Sequence, residues 1–244
     1  MQEIAPGVYR IPRVPGCNVY LLMGEESLTL VDSGLPWAAP RILEAMRALG
    51  HTPISLRAIL LTHGHPDHYG GAYDLQQQTG ARVYAHRADT TPTPRGDTVP
   101  RFFPIPGSPR PMVDGFLEDG QMLPIAGGLR VLHTPGHTPG SVCFYLEEHR
   151  LLFTGDTLLT VGSRFARPLP IHDPEAYMRS LERLAGLAFQ RACPGHGRPI
   201  LNGADELLRG LVRAVVGKGG PAWWRLFKWL LGLGGPWGKG KRHK

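Results

Sequence analysis

The sequence is poor in cysteine. It contains three cysteines in 244 residues, Cys17, Cys143 and Cys193, and no two of them form a CxxC pair. An odd number of widely separated cysteines indicates neither a disulfide framework nor a metal site built from thiolates. Cys193 lies three residues before His196, and we interpret it as a small buried side chain at a strand end rather than as a ligand.

The sequence also lacks long apolar stretches. No run approaches the roughly 20 apolar residues that a membrane-spanning helix needs. The first residues do not combine a basic segment with an apolar one, as a secretory signal does, so we expect a cytoplasmic protein. The 32 glycines and 24 prolines follow no repeat, and with 42% hydrophobic residues this composition is typical of a loop-rich globular enzyme.

The body of the chain lacks net charge. The formal net charge is +7, but residues 217–244 hold seven basic residues and no acidic one, which leaves 20 basic and 20 acidic residues in 1–216. All the excess charge therefore lies in a C-terminal tail. Because nucleic-acid-binding domains are strongly basic, a neutral body disfavours a nucleic-acid substrate.

The hydrophobic pattern predicts an α/β protein. Short apolar runs bounded by glycine and proline predict strands at 8–12, 18–23, 27–32, 57–61, 81–85, 128–133, 141–147, 150–154 and 190–193. Helical periodicity predicts helices at 36–49, 68–79, 174–187 and 204–216. The proline-rich residues 86–116 show little periodicity, which predicts a long loop of the kind that is usually functional or disordered. This alternation predicts sheets covered by helices.

The densest chemical signal is the segment His63-Gly64-His65-Pro66-Asp67-His68. Side chains two positions apart in an extended segment share a side, so His63 and His65 can bind one ion. Asp67 and His68 follow where the chain must turn, and they are better placed for a second ion a few ångströms away. Imidazole and carboxylate are ligands of zinc and of comparable first-row metals.

Three further residues of ligand type follow downstream. Each comes directly after an extended apolar run and beside glycine, in a turn where the backbone can approach a metal closely. They are His137, Asp156 and His196.

This ordered set resembles the metallo-β-lactamase fold superfamily over roughly residues 4–210. The HxHxDH motif is complete, and Val31-Asp32-Ser33-Gly34 resembles the early strand-end element of the family. The resemblance implies a four-layer αββα sandwich with the metals in a cleft at one edge of the two sheets. We expect this domain to occupy residues 1–216.

The resemblance also implies a set of ligands for two divalent cations, which we expect to be zinc, with iron or manganese as alternatives. His63, His65 and His137 would hold the first ion, and Asp67, His68 and His196 the second. Asp156 would bridge the two. In the superfamily, a carboxylate there is shared with hydrolases resembling glyoxalase II, lactonases and ribonuclease Z. The true zinc β-lactamases place a cysteine there, which argues against antibiotic hydrolysis as the main activity.

The expected chemistry is hydrolysis of a small-molecule ester, thioester or lactone. Two cations that share a water lower its pKa from 15.7 towards neutrality and so supply a hydroxide nucleophile. We expect Asp67 and Asp156 to be catalytic, with Asp67 orienting the nucleophile. For Asp32 two interpretations remain open: it accepts the free N–H of a ligating histidine, or it caps the turn at its strand end.

Other activities of the same superfamily remain in competition. Persulfide dioxygenases share these motifs but use a single iron, held by residues matching His63, His137 and Asp156. Fewer than fifty residues follow His196, and none resembles the glutathione-binding helical domain of glyoxalase II. A non-catalytic metal-binding interaction protein is disfavoured because all seven ligands are present.

Four residues near these motifs carry weaker signals. His133 lies in a predicted strand, and we favour an ordinary strand residue, either buried or exposed, over a metal ligand. His172 precedes a helix beside the expected cleft and would suit a proton donor or a substrate contact, although a surface turn histidine is the favoured interpretation. Arg164 and Arg167 follow the bridging aspartate and would suit an anionic substrate group, although ordinary solvated arginines are the favoured interpretation.

The tail contains four of the five tryptophans of the chain. Residues 221–233 predict a short amphipathic helix with Arg225 and Lys228 on one narrow face. Its composition suits the interface of an anionic bilayer, with the basic residues 239–244 adding attraction, which would place the protein at the inner membrane surface. The alternative is packing on the enzyme itself or across a dimer, and the oligomeric state is open.

Overall fold

The structure, a computed structural model, describes residues 1–25 and 27–216. The strands of this part are β1 (Gln2–Ala5), β2 (Val8–Ile11), β3 (Val19–Met23), β4 (Leu28–Val31), β5 (Leu56–Leu60), β6 (Arg82–His86), β7 (Thr90–Pro92), β8 (Thr98–Pro100), β9 (Gly115–Leu117), β10 (Met122–Leu123), β11 (Leu129–His133), β12 (Val142–Leu146), β13 (Leu151–Gly155), β14 (Leu159–Val161), β15 (Arg164–Ala166) and β16 (Arg191–Pro194). Its α-helices are α1 (Ala39–Ala48), α2 (Pro66–Tyr69), α3 (Ala72–Thr79), α4 (Pro174–Ala185) and α5 (Ala204–Val216).

Two mixed sheets form the centre of the fold. The first has the strand order β1-β2-β3-β4-β5-β6-β9, and its strands run antiparallel as far as β4 and parallel from β4 to β9. The second has the order β10-β11-β12-β13-β16, with β16 parallel to β13. The parallel strands of each sheet bring several chain turns to one edge.

Three hydrophobic clusters separate four layers. One packs the first sheet against α1 and α3, the second lies between the two sheets, and the third packs the second sheet against α4 and α5. The predicted αββα sandwich is therefore confirmed. The helix predicted in the tail at 221–233 lies outside the described residues.

Side-chain alternation explains why the central strands are buried on both faces. In β12, Phe144 lies in the cluster between the sheets, whereas its neighbours Cys143 and Tyr145 face the helices. In β3, Tyr20 faces the second sheet and Leu21 faces α1. Full burial of one such side chain contributes about 1.5–3 kcal/mol to the free energy of unfolding. A strand that is apolar on both faces is therefore stable only when a layer covers each face of its sheet.

The predicted helix over residues 68–79 is wrong in its boundaries. The helical segment begins at Pro66 and is divided into α2 and α3 by Gly70-Gly71. A Cβ atom at Gly71 would lie 2.4 Å from the carbonyl oxygen of Ser33, so only glycine permits this approach. The Ser33 N–H and hydroxyl both donate to the His68 carbonyl, at 2.7 and 2.8 Å, which fixes α2 beside the end of β4.

The predicted loop over residues 86–116 contains three short strands. β7 and β8 form a hairpin closed by the Thr93 N–H, which donates to the Asp97 carbonyl at 2.8 Å. β9 joins the first sheet beside β6 because the Asp114 carboxylate accepts a 2.8 Å hydrogen bond from the Val83 N–H. The prediction missed β7 and β8 because each contains a proline, which interrupts the strand pattern and is tolerated at sheet edges.

Candidate metal centre

All seven predicted ligands lie at one edge of the two sheets. His63 and His65 follow β5, Asp67 and His68 belong to α2, and Asp156 and His196 follow the neighbouring parallel strands β13 and β16. His137 follows β11, on the turn that leads into β12. The carboxyl ends of parallel strands meet at the same edge of a sheet, which explains how residues far apart in the sequence come together.

Three histidines form the first group. His65 Nδ1 lies 3.0 Å from His63 Nε2 and 3.0 Å from His137 Nε2. His63 and His137 are buried, whereas His65 is partly exposed. The His137 Nδ1–H donates to the Pro170 carbonyl at 2.8 Å, and this bond directs Nε2 towards the group.

Asp67, His68 and His196 form the second group. His196 Nε2 lies 3.2 Å from Asp67 Oδ2 and 3.3 Å from His68 Nε2. His68 is fully buried, while Asp67 and His196 keep about a third of their side-chain surface exposed, at 34% and 35%. This group therefore faces the solvent from which a substrate would arrive.

Asp156 lies between the two groups. Its Oδ2 is 3.7 Å from His137 Nε2 of the first group and 3.4 Å from His196 Nε2 of the second. Its Oδ1 is 3.4 Å from His68 Nε2, is buried, and accepts no hydrogen bond from any described residue. A buried carboxylate oxygen without a partner is costly, and a cation is the partner that would satisfy it.

The donor set fits metal ions. Two ligands of one tetrahedral ion with bonds of about 2.0–2.1 Å are roughly 3.3 Å apart, and the separations within each group are close to this value. The ligand atoms of each group lie within 4.8 Å of one another. Nitrogen and carboxylate oxygen donors suit zinc, iron and manganese.

The surroundings of the first group lower the pKa values of its three histidines and so favour the neutral form of each ring. Burial lowers the pKa of His65 to about 4, and neighbouring His137 and His68 act in the same direction. Burial also lowers the pKa of His63 and of His137. Neutral imidazole is the form that binds a metal, so no proton has to leave these rings near neutral pH.

Asp156, and Asp67 of the second group, carry the negative charge of the site. Burial alone would raise the pKa of Asp156, but His68 and the hydrogen bonds from His196 hold it well below its ordinary value. The hydrogen bonds to Asp156 and Asp67 raise the pKa of His196 to about 9. In the absence of a metal, a proton on His196 therefore compensates part of the carboxylate charge.

Asp32 lies beside a histidine of the predicted ligand set, as the first of the two interpretations left open by the sequence expects. Its carboxylate accepts a 2.8 Å hydrogen bond from the Thr62 N–H and another 2.8 Å bond from the Thr62 hydroxyl, which holds the end of β5. It also lies 2.8 Å from His68 Nδ1. The second contact fixes the ring of His68 with Nε2 towards the candidate metal centre.

Two residues beside the site were not predicted from the sequence. Cys17 is buried beside Asp32 and His68, and burial raises the pKa of its thiol to about 11. Asp89 is also buried, and burial raises its pKa against the opposing effect of hydrogen bonds from Thr138, Gly64 and Gly140. Neither residue is close in sequence to its partners, so no local motif could have indicated them.

The weaker candidates lie outside the groups of described residues that could hold a metal ion. His133 stacks on His86 with ring centroids 4.0 Å apart and contacts the Pro139 carbonyl at 2.9 Å. His172 is exposed at the turn before α4, and Cys193 is buried between the sheets. Arg164 is exposed on β15 and Arg167 is half-buried; an anion-binding role for them stays a prediction.

Apolar side chains border the first group. The rings of Phe102 and Phe103 lie 5.6 and 5.7 Å from the ring of His65. Phe103 is 66% exposed, and Leu169, which precedes the residue bound by His137, is 73% exposed. We call Phe102, Phe103 and Leu169 the apolar rim.

A family model described as the metallo-beta-lactamase superfamily matches residues 12–196. The chain belongs to this superfamily. The match begins before β3 and ends at His196. It therefore includes all seven residues of the candidate metal centre.

Two curated relatives and a solved structure are similar to the chain. Thioesterase pkgB of Emericella nidulans is 34% identical over 207 residues, which cover 84% of this chain and 52% of the relative. Atrochrysone carboxyl ACP thioesterase of Aspergillus fumigatus is 32% identical, covering 78% and 53%. A metallo-beta-lactamase family protein of Thermus thermophilus is 29% identical, with a TM-score of 0.65, and the match covers 93% of this chain and 88% of that structure. The chain spans about half the length of the two thioesterases.

Proposed function

We propose that this superfamily member is a binuclear metal-dependent hydrolase that cleaves a thioester, ester or lactone of a small molecule. The observation that carries the proposal is the position of Asp156, whose Oδ2 lies within 3.7 Å of one histidine from each group. A carboxylate so placed suits a bridge between two cations. Two relatives are named thioesterases, which supports a thioester as the first substrate class to test.

Bound at these two groups, the cations would activate water as a nucleophile and polarise the attacked carbonyl. Asp67 has a partly exposed carboxylate at the second group, and we assign to it the orientation of the attacking water and the acceptance of its proton. The water oxygen then bonds to the carbonyl carbon, and the carbon–sulfur or carbon–oxygen bond breaks. The leaving thiolate or alkoxide receives a proton from solvent.

The apolar rim favours an acyl group with substantial apolar surface. Phe103 and Leu169 are exposed large hydrophobic residues on two different loops beside the first group. Exposed apolar side chains at the mouth of a polar site are typical of ligand contacts. A thioester with an aromatic or long acyl chain would bury this surface, whereas an acetyl thioester would not.

The competing activity in the superfamily is that of a single-iron dioxygenase. It would need only the equivalents of His63, His137 and Asp156. Here Asp67, His68 and His196 are also assembled, with separations between ligand atoms of 3.2 to 3.7 Å. The thioesterase names of two relatives, rather than this second group, whose motif dioxygenases share, support the hydrolase.

Metal analysis combined with substrate assays tests the proposal. Protein purified without added metal should contain about two zinc, iron or manganese ions per chain. It should hydrolyse one or more members of a panel of aryl and alkyl thioesters, lactones and a β-lactam. One iron per chain and oxygen uptake with glutathione persulfide would instead establish the dioxygenase.

Variants connect the activity to the site. His65→Ala and Asp156→Ala should each abolish turnover, while circular dichroism and gel filtration remain unchanged. His51→Ala is the matched control, because His51 lies after α1 and belongs to no candidate metal-binding group among the described residues. Full activity in either site variant would refute the assignment.

A further inference from the structure

Asp89 joins the two loops that carry the first group of histidines. It lies in a short turn between β6 and β7, and it is 1% exposed. Its Oδ2 accepts hydrogen bonds from the Gly64 N–H at 2.8 Å and from the Thr138 hydroxyl at 2.6 Å. Its Oδ1 accepts a third bond, from the Gly140 N–H at 2.6 Å.

The donors are close neighbours of the three histidines. Gly64 lies between His63 and His65, and Thr138 directly follows His137. One carboxylate therefore holds the chain beside all three members of the first group. The second group has a different support, because its His68 is held by Asp32.

The packing around Asp89 requires both glycines. A Cβ atom at Gly140 would lie 2.7 Å from the Asp89 carboxylate, and one at Gly64 would lie 2.9 Å from its carbonyl oxygen. That carbonyl accepts a 2.9 Å hydrogen bond from the Arg101 N–H, which connects Asp89 to the segment that carries Phe102 and Phe103 of the apolar rim. The close approach allows short charge-assisted bonds, which offset the cost of burying the carboxylate.

We propose that Asp89 is a positioning residue that sets the geometry of His63, His65 and His137 for the first metal ion. Its hydrogen bonds go to neighbours of the three histidines, so its effect passes through the two loops. This inference rests on the proposed metal centre. It does not depend on which substrate the enzyme hydrolyses.

The test compares Asp89→Asn with a matched control, Asp114→Asn. An asparagine at position 89 keeps the side-chain volume. Its NH2 group, however, replaces a carboxylate oxygen that accepts hydrogen bonds, so one of the surrounding donors would face another donor. Asp114 also receives a backbone N–H, that of Val83, and lies outside the candidate metal-binding groups of the described residues. It therefore controls for the loss of any carboxylate that joins two chain segments.

Zinc is titrated against a chromophoric chelator, and the retained ions are counted by elemental analysis. In Asp89→Asn we expect the apparent Kd of one of the two ions to rise about 10- to 100-fold. In Asp114→Asn we expect the apparent Kd of both ions to stay unchanged. Anomalous scattering at the zinc edge in crystals of Asp89→Asn, soaked at limiting zinc, should locate the retained ion at Asp67, His68 and His196.

A second pair of variants keeps the proposal testable if Asp89→Asn does not fold. Thr138→Val removes one bond to Asp89 without changing the side-chain volume greatly, and Thr138→Ser restores the hydroxyl. We expect Thr138→Val to weaken the same ion and Thr138→Ser to recover it.

Three results would overturn the proposal. Unchanged affinity for both ions in Asp89→Asn, or in Thr138→Val where the former does not fold, shows that the bonds do not position the ligands. Equal weakening of both ions shows a general structural role. If either result is obtained while the wild-type chain binds two ions, only the positioning role of Asp89 is refuted and the proposed hydrolase stands. If the wild-type chain binds no metal, both proposals are overturned.

Discussion

His68 Nδ1 and Asp32 Oδ2 lie 2.8 Å apart, and both side chains are almost fully buried. This contact leaves Nε2 as the ring atom that faces Asp67, His196 and Asp156. Since the Thr62 N–H and hydroxyl bind the same carboxylate, the aspartate connects the end of β5 to the second group.

We expect Asp32→Asn to weaken the second ion. The amide cannot accept the His68 Nδ1–H and both Thr62 hydrogen bonds as a carboxylate does, so the ring loses its fixed orientation. The apparent Kd of one ion should rise about 10- to 100-fold, measured by chelator competition, and hydrolysis at limiting zinc should fall in parallel. The same titration with Asp114→Asn is the control. Wild-type affinity in Asp32→Asn would show that the contact does not orient the ligand.

The stability of the metal-free protein should depend on pH with a maximum near pH 6.5. His196 has a pKa raised to about 9, so its contribution is fully present below about pH 6.5 and is lost as the pH rises through 9. His65 and His86 have pKa values lowered to about 4. The unfolded chain protonates these two histidines near pH 6.5, so the folded state loses stability as the pH falls towards 4.

Urea unfolding of chelator-treated protein between pH 4 and pH 10 checks this expectation. His196→Ala should flatten the loss of stability above pH 6.5, and His86→Ala should reduce the loss below it. His86 is the more informative of the acid-side residues, because it belongs to none of the candidate metal-binding groups of the described chain. A stability that rises steadily from pH 6.5 to pH 9 would contradict the prediction.

The part of the site that the sequence predicts is the part encoded locally. His63, His65, Asp67 and His68 lie within six residues, so their spacing alone indicated a metal centre. Convergence of the three later ligands required a fold, which came from the family resemblance. Short apolar runs bounded by glycine and proline predicted most strands, because strands buried on both faces, such as β12, are apolar at every position.

Long-range contacts explain what the sequence did not predict. Asp89 lies 25 residues from Gly64 and 49 residues from Thr138, in a proline-rich segment without periodicity. A single aspartate there has no pattern that distinguishes it from a surface residue. The break between α2 and α3 was missed for a related reason, because Gly70-Gly71 is required by packing against residues 33–36 and not by the helix itself.

Phe103→Ala should lower the efficiency with which large apolar thioesters are hydrolysed. Loss of the exposed ring removes apolar contact worth about 1.4 kcal/mol, which corresponds to a roughly tenfold increase in KM. We expect kcat to change little, and the free energy of unfolding to stay within about 0.5 kcal/mol. An acetyl thioester should show no change. Met122→Ala is the control, because Met122 is a 54% exposed apolar residue on β10 in the second sheet. Equal losses for large and small acyl groups would show that Phe103 does not contact the acyl chain.

The tail outside the described residues gives the last prediction. Residues 217–244 carry seven basic residues, no acid and four tryptophans, a composition that favours an anionic lipid surface. The intact chain should float with vesicles that contain phosphatidylserine, and a chain of residues 1–216 should not. Binding should weaken as the salt concentration rises, because the Debye length falls from about 10 Å at 0.1 M to about 3 Å at 1 M. Equal flotation of the two chains would refute membrane binding by the tail and would favour its packing on the enzyme or across a dimer, which sedimentation of both chains would then distinguish.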